Sequence, residues 1–411
     1  MTDIPTLLRQ YGSPLYVYQL EAAEQAYADL RATLPMPSTL YYSLKANPHP
    51  ALVRALRLAG CQAEVSSTGE LDAALAAGFR GADLLFTGPG KTTADLHEAF
   101  GRGVRRYSAE SVVELRRIGA AAVAHGTEAS VLLRVNSAAA GGTSLRMTGA
   151  ATQFGVDEDQ IVADPGQFLG IPGTVLDGLH LFPISNARDE DGLIDSLRSS
   201  IALAGRLRDE TGLPMRVVDL GGGFATPYAA PGARPVYPRL RAAVCAALDD
   251  HLTGWRTGEV EIAFESGRYL VGDSGRLAAT VLDVKRSRDQ TFVVLDAGIH
   301  HLGGMSGLGR LARAGATPDP GPGGTSTVTL VGPLCTPADV LGRAVQAPKL
   351  NAADTVVFPN TGAYGLTASL VAFLGRMAPA EVVLHGPRVV GATRMLLSHE
   401  TIAAAPEGGP A

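Results

Sequence analysis

Lysine, cysteine and tryptophan are scarce in this chain of 411 residues. Only Lys45, Lys91, Lys285 and Lys349 are lysine, three residues are cysteine and one is tryptophan. Cys61, Cys245 and Cys335 are far apart, odd in number and in no CxxC pattern, which excludes a disulfide framework and gives no sign of a metal site. No apolar run reaches the ~18 to 20 residues of a membrane span. Neither sign of charge dominates: 40 acids face 35 bases, and the net charge of −5 excludes a basic nucleic-acid footprint or a polybasic membrane anchor. The opening MTDIPTLLRQYGS has no charged segment followed by an apolar one, so nothing marks it for export. What remains is the expectation of a cytoplasmic enzyme acting on small molecules, in roughly two or three domains. Arginine supplies 31 of the 35 basic residues, as a GC-rich genome would favour, and few lysines are left to act as nucleophiles.

Short apolar or β-branched runs alternate with helical stretches, the rhythm of a parallel sheet. Eight such runs are Thr39–Ser43, Gln62–Ser66, Asp83–Phe86, Arg105–Ser108, Ala129–Asn136, Val175–Leu181, Arg216–Asp219 and Glu259–Phe264. All but the last precede a helical pattern, such as Ser111–Ala124 or Leu193–Glu210. Eight units in this span fit the ~250 residues of an α/β chain folded as a (β/α)8 TIM-type barrel, with a doubly wound sheet as the competitor. After Tyr269 the texture changes to a C-terminal β-rich domain, with strands expected at Arg276–Lys285, Thr291–Leu295, Thr325–Val331, Thr355–Phe358 and Glu381–Leu384. The division expected is a barrel over residues 21–270 and a β-domain over 271–411. The Pro/Gly stretch Ala314–Thr325 reads as a mobile loop and Pro406–Ala411 as a disordered tail.

Three features carry chemistry. Lys45 sits at the C-terminal end of the first run, where barrels do their chemistry. A partly buried lysine has a lowered pKa and forms an imine with an aldehyde, the need of a pyridoxal phosphate enzyme, although alone it reads first as an ordinary surface lysine at a strand end. The seventh run ends in Gly221-Gly222-Gly223, whose bare N–H groups can approach a phosphate, or which alone make a tight turn. The eighth ends Glu265-Ser266-Gly267-Arg268, an acid and a base at the same face.

Together these motifs resemble the fold-type III pyridoxal phosphate-dependent decarboxylases, the group with diaminopimelate, ornithine and arginine decarboxylases on the alanine-racemase-type barrel. PLYVY (Pro14–Tyr18), YSLKANP (Tyr42–Pro48), EVSSTGEL (Glu64–Leu71), LRVN (Leu133–Asn136), QFG (Gln153–Gly155), GLHLF (Gly178–Phe182), DLGGGF, ESGR, GPLCTPAD (Gly332–Asp339) and TGAYG (Thr361–Gly365) follow the family's order. The resemblance implies that Lys45 links to the cofactor, that Glu265 pairs with the pyridine nitrogen, and that Glu64 stands near Lys45 where the family usually has aspartate. It also implies that Gly221, Gly222 and Gly223, with Ser185, Gly267, Arg268 and Tyr364, cradle the phosphate, with Arg134 of LRVN beside the cofactor. Cys335, which alone reads as a small buried hydrophobe, resembles the cysteine that reaches the active site from the partner subunit and returns a proton to Cα. A head-to-tail homodimer with shared sites follows, in which the first ~20 residues add a strand to the β-domain. Substrate contacts are expected from Cys335, Thr336, His300, His301 and Tyr364.

Three departures narrow the substrate. Relatives that take diamino acids follow the cysteine with an acid for the distal ammonium, whereas Thr336 cannot repay that group's desolvation. The arginine clamp of diaminopimelate decarboxylases is missing from Asp296–Met305, which instead carries His300, His301 and a glycine-rich stretch, Gly303–Gly309, that either admits a larger substrate or merely connects. Phe182 replaces the histidine that often stacks on the ring, and His180 resembles a structural hydrogen-bonder. His49 and His251 read as surface residues. The expected function is decarboxylation of a modified or carrier-linked amino acid in a secondary-metabolite or siderophore pathway. The alternatives are meso-diaminopimelate decarboxylase of lysine biosynthesis, a racemase, which Glu265 disfavours, and a non-catalytic regulatory homologue, which would be expected to have lost Lys45 or Cys335.

Overall fold

The computed structural model describes residues 3–137, 145–146, 151–182, 184–303, 315–321 and 324–400. After helix α1 (Ile4–Tyr11) and strand β1 (Leu15–Gln19), eight parallel strands follow: β2 (Thr39–Ser43), β3 (Gln62–Val65), β4 (Leu84–Phe86), β5 (Arg106–Ala109), β6 (Ala129–Asn136), β7 (Thr174–Leu181), β8 (Val217–Asp219) and β9 (Glu261–Ser266). Their order is β5-β4-β3-β2-β9-β8-β7-β6, and pairing of β6 with β5 closes the barrel. The strands are buried almost throughout, as parallel strands covered by helices must be. Helices after β3, β4, β5 and β7 start at Ser67, Thr92, Ser111 and Asp189, whose side chains accept an N–H of the first turn. After β6 the described helix is only Glu158–Ala163.

The two-residue alternation of the strands decides what the barrel contains. Tyr41, Leu85, Leu132, Val217 and Ala263 form an interior cluster of their own. Tyr42, Ala63, Phe86, Tyr107, Leu133, Val218 and Phe264 belong to the main core with the helices. Arg106 and Glu261 pair through two bonds of 3.0 Å, and Arg106 also donates to Tyr41 Oη. Nearer the strands' C-terminal ends the buried residues turn polar, with Glu64, Ser108, Arg134, His180, Asp219 and Glu265. That concentration marks the end where chemistry is expected.

Apart from the two-residue strands Leu145–Arg146, Val156–Asp157 and Ile184–Ser185, the remaining strands are β10 (Gly275–Ser287), β11 (Gln290–Leu295), β12 (Thr325–Val331), β13 (Val340–Pro348), β14 (Thr355–Phe358), β15 (Ala380–His385) and β16 (Arg388–Arg394). They form a mixed sheet in the order β13-β12-β11-β10-β1-β15-β16, with β14 on β10. Leu15 of β1 pairs with Ala278 in antiparallel and Ala380 in parallel register. Strands β13 and β16 are additions to the sequence reading. The first carries Gly342 and shifts register against β12, and the second is a mostly exposed edge without an apolar alternation. Among the described residues no helix is long and apolar enough to cross a membrane.

Two expectations need correcting. Within Ala314–Thr325, residues 315–321 are tied down, with Ala316, Thr317 and Asp319 N–H groups donating to the carbonyls of Leu341, Ala229 and Val357; this segment does not read as mobile. The tail Pro406–Ala411 and Gly304–Gly309 lie outside the described residues. His49 is buried, not superficial. Its Nδ1 accepts Ala51 N–H at the start of the helix Pro50–Ala59, and its Nε2 is 3.1 Å from Thr393 Oγ1.

Burial pushes His49 down to about 4 from 6.5. Above pH 6.5 the ring is neutral folded or unfolded, so it adds no pH dependence. Between 6.5 and about 4 the unfolded chain binds a proton that the fold refuses, and stability falls by up to roughly 3 kcal/mol. In His49→Asn, which keeps a capping acceptor, that loss is expected to vanish. Denaturant midpoints of both proteins at pH 7 and pH 4 check it, and parallel pH profiles would refute it.

Candidate active site

Strand β2 ends in a single 3-10 turn, Leu44–Ala46, which turns Lys45 into a cleft at the barrel's rim. Its ammonium lies deep between neighbouring groups, although 42% of the side chain is open to the cleft. Lys45 Nζ is 3.1 Å from both carboxylate oxygens of Glu64, which also accepts the hydroxyls of Ser66 and Thr87. Burial raises the Glu64 carboxyl, but Lys45 and the hydroxyl donors outweigh it and hold the group at about 2. The same pairing corrects the expectation of a lowered lysine. Burial does depress Lys45, but Glu64, Glu265 and Tyr364 outweigh it and raise the ammonium above its ordinary 10.5.

Across the cleft, β8 runs into Gly221, Gly222 and Gly223. Gly221 has φ +65°, and a Cβ there would meet the Phe182 ring at 2.5 Å; one on Gly222 would meet Glu265 O at 2.6 Å. Side chains are therefore excluded and the backbone itself faces the cleft. The N–H groups of Gly222 and Gly223 carry no hydrogen bond among the described residues. Ser185, Arg268 and Tyr364 line the same cleft, and Arg268 has no carboxylate partner among the described residues. Its guanidinium stacks 4.9 Å from the Tyr364 ring centroid. Tyr364 comes from the turn that follows β14, held by its N–H on Ala46 O at 2.7 Å and by Tyr228 Oη on its carbonyl at 2.9 Å. Gly267 packs on the lysine turn, where a Cβ would approach Ala46 Cβ to 2.8 Å.

Glu265, 1% exposed, lines the cleft from β9. Its Oε1 lies 3.2 Å from His180 Nε2, an ionic approach outside hydrogen-bond alignment. Phe182 lines the cleft with its ring centroid 5.9 Å from Lys45 Nζ and 5.8 Å from the Arg134 guanidinium carbon. Arg134 also stacks on Phe154 and pairs with Glu110 at 3.0 Å, so it backs the cleft from outside its lining.

One cleft thus collects Lys45, Phe182, Ser185, Gly222, Gly223, Glu265, Gly267, Arg268 and Tyr364, with Glu64, Arg134 and Gly221 directly behind. Cys335, Thr336, His300 and His301 are not among its lining residues. Cys335 is exposed. The two histidine rings are buried 3.6 Å apart, where Tyr16 Oη donates to His301 O. Sequence reasoning missed Ser43, Asn186, Phe224 and Ser266 in the lining, and Asp219, whose Oδ1 accepts the Gly221 N–H at 2.8 Å, although Asp219 stood in the quoted DLGGGF.

An amine, a carboxylate and an open set of phosphate donors facing one another at a barrel rim define a cofactor enzyme of the (β/α)8 class. Residues 20–272 match the family model described as pyridoxal-dependent decarboxylase, pyridoxal binding domain, and the chain belongs to that family. It is 32% identical over 389 residues to the L-glutamyl-[BtrI acyl-carrier protein] decarboxylase of Niallia circulans, covering 93% of this chain and 91% of that one. It is 30% identical over 386 residues to the 2-[(L-alanin-3-ylcarbamoyl)methyl]-2-hydroxybutanedioate decarboxylase of Staphylococcus aureus, covering 90% and 93%. The crystal structure of Helicobacter pylori diaminopimelate decarboxylase complexed with L-lysine superimposes with a TM-score of 0.80 at 25% identity, covering 94% and 95%. Pyridoxal phosphate is the cofactor. The unbonded N–H groups of Gly222 and Gly223 with Arg268 fit its phosphate, the Lys45 amine its aldehyde, and the buried Glu265 carboxylate its ring N–H.

Proposed function

We propose that this amino-acid decarboxylase removes the α-carboxylate of a substrate whose far end is acylated or tethered to a carrier, in a secondary-metabolite or siderophore pathway. The observation that carries the reading is the loop around Cys335. Thr336 follows the cysteine, its Oγ1 accepts the Ala338 N–H at 3.3 Å, and the sole acid of that loop, Asp339, is turned inward. Asp339 Oδ1 accepts Ile299 N–H at 2.8 Å and Oδ2 accepts Leu334 N–H at 2.7 Å. No carboxylate is left there to pair with a distal ammonium. The names of two relatives point the same way, one to a glutamyl group on an acyl-carrier protein and the other to an alanine joined through an amide.

When bound, pyridoxal phosphate supplies the sink for the electron pair left at Cα as carbon dioxide leaves. Lys45 offers the amine that joins the aldehyde, and Glu64 aims that amine. Ser185, Gly221, Gly222, Gly223, Gly267, Arg268 and Tyr364 hold and shape the phosphate seat, while Phe182, backed by Arg134, covers a ring face. Glu265 keeps the ring nitrogen's proton in place. In this reading residues 21–270 form the cofactor-holding barrel, and residues 271–411 with 1–20 form the sheet unit carrying Cys335 and Tyr364. A second copy of the chain brings Cys335 to the cleft, giving a cytoplasmic homodimer. Exposed Leu370, Phe373, Leu374 and Met377 lie on the segment that Arg376 ties to Pro333 O at 3.2 Å, beside Cys335, and they support that interface.

Carbon dioxide release from a γ-glutamyl pantetheine thioester and from Nβ-acylated 2,3-diaminopropionate, beside meso-diaminopimelate, ornithine, lysine and arginine, tests the substrate class. Leaving a distal ammonium unpaired costs enough that kcat/KM for the acylated compounds is expected to exceed that for diamino acids by ~10²-fold or more. Equal or faster release from meso-diaminopimelate would overturn the reading in favour of lysine biosynthesis.

A further inference from the structure

Behind Glu265 lies a buried group that the decarboxylation scheme above does not use. His180 and Asp219 are direct register partners on β7 and β8, and Glu265 stands two residues beyond Ala263, the partner of Asp219 on β9. One ligand atom from each of the three comes within 4.8 Å of the others. The His180 ring is sealed from solvent, with Nδ1 2.8 Å from Ser108 Oγ and Nε2 3.2 Å from Glu265 Oε1. Both ring nitrogens therefore face oxygen atoms, which suits a ring carrying two protons.

We propose that His180 is a positioning residue that, as an imidazolium braced by Ser108, holds the Glu265 carboxylate aimed so that the cofactor's ring proton stays on the pyridine nitrogen. This rests on the reading that Glu265 meets that nitrogen. A cation touching a carboxylate lowers its proton affinity, so a proton shared between the carboxylate and the ring is left on the ring. Asp219 and Glu265 are buried side by side, and a positive imidazolium beside them offsets the crowding of two acids in one dry pocket. The groups facing His180 are Glu265 from β9, Asp219 from β8, Ser108 from β5 and the opposing cation Arg134 from β6. Burial works against a charged ring here, but Glu265 and Asp219 outweigh it and raise His180 above its ordinary 6.5. Asp219 feels the same crowding: burial and Glu265 push it up to about 7, against the pull of His180 and the Gly221 N–H.

The test follows the ring nitrogen itself, through its 15N resonance at neutral pH in protein loaded with 15N-labelled pyridoxal phosphate, which reports how much of the shared proton sits on the ring. In His180→Gln, which keeps a donor but not the charge, the resonance is expected to move toward that of the unprotonated ring. Ser108→Ala, a smaller change that frees the other ring nitrogen, is expected to move it in the same direction by less and serves if His180→Gln does not fold. An unmoved resonance in both variants would overturn the role of His180. Glu265→Gln separates the two ideas. If it moves the resonance while the His180 and Ser108 variants do not, the positioning role alone fails; if it too has no effect, the placement of Glu265 at the ring nitrogen fails with it.

Discussion

Replacing Lys45 by alanine is expected to lower carbon dioxide release by ~10³-fold or more, because no other lysine lines the cleft to join the cofactor's aldehyde. Lys91, the other lysine in the barrel's rim region, cannot substitute. It is buried in a pair with Glu114 at 3.2 Å and donates to the carbonyls of Gly88 and Ser108. The alanine variant also leaves Glu64 without its cation, so a loss could reflect charge and not covalency. Lys45→Arg separates the two, since a guanidinium can pair with Glu64 but does not form the imine. Both variants are expected to lose turnover equally, and both to lose the mass adduct that borohydride traps in the wild type. Full activity in either variant, or an adduct that persists in it, would sink the assignment of Lys45. The paired state also implies a step before linkage. Since Glu64 and Glu265 hold the free amine as an ammonium, a proton must leave Lys45 before it can attack.

The barrel was legible because its strands are short, wholly buried runs bounded by helix caps, a pattern written locally in the chain. The rim residues were legible for the same reason. Lys45, Gly221 to Gly223 and Glu265 each stand where an apolar run stops. What was not legible depends on register between strands distant in sequence. Nothing local says that Lys45 meets Glu64 at 3.1 Å, and without that contact burial alone gives the wrong direction for its pKa. The approach of His180 to Ser108 and Glu265 is equally a product of which strands become neighbours around the barrel. The burial of His300 and His301 has a related origin. The segment is drawn inward where Asp339 accepts Ile299 N–H and His301 O accepts the Tyr16 hydroxyl, both contacts distant in sequence. Strand β16 escaped notice because an edge with little to bury needs no apolar pattern.

Mixing two inactive variants is expected to restore activity that neither has alone. Cys335→Ala should bind cofactor normally but lose ~10²-fold or more in correctly protonated product, the scale of a missing general acid. Lys45→Ala should be inactive for the reason given above. If Cys335 serves the site of the partner subunit, a mixed dimer has one site lacking both residues and one site with both intact. Random reassortment makes half of the dimers mixed, so about a quarter of wild-type activity should return. The geometry motivates this arrangement from within one chain. Cys335 is exposed and absent from the lining of its own cleft, while its loop is fixed by Asp339, whose carboxylate leaves no room for side chains at Gly298 and Gly332. A cysteine held so firmly in the open has a fixed place to be met by another surface, and the apolar residues Leu370, Phe373, Leu374 and Met377 on the neighbouring segment supply one. Activity measured after co-refolding the two variants, with differently tagged chains isolated as mixed dimers, decides the matter. Recovery no greater than the sum of the separate variants in verified mixed dimers would show that each chain completes its own site.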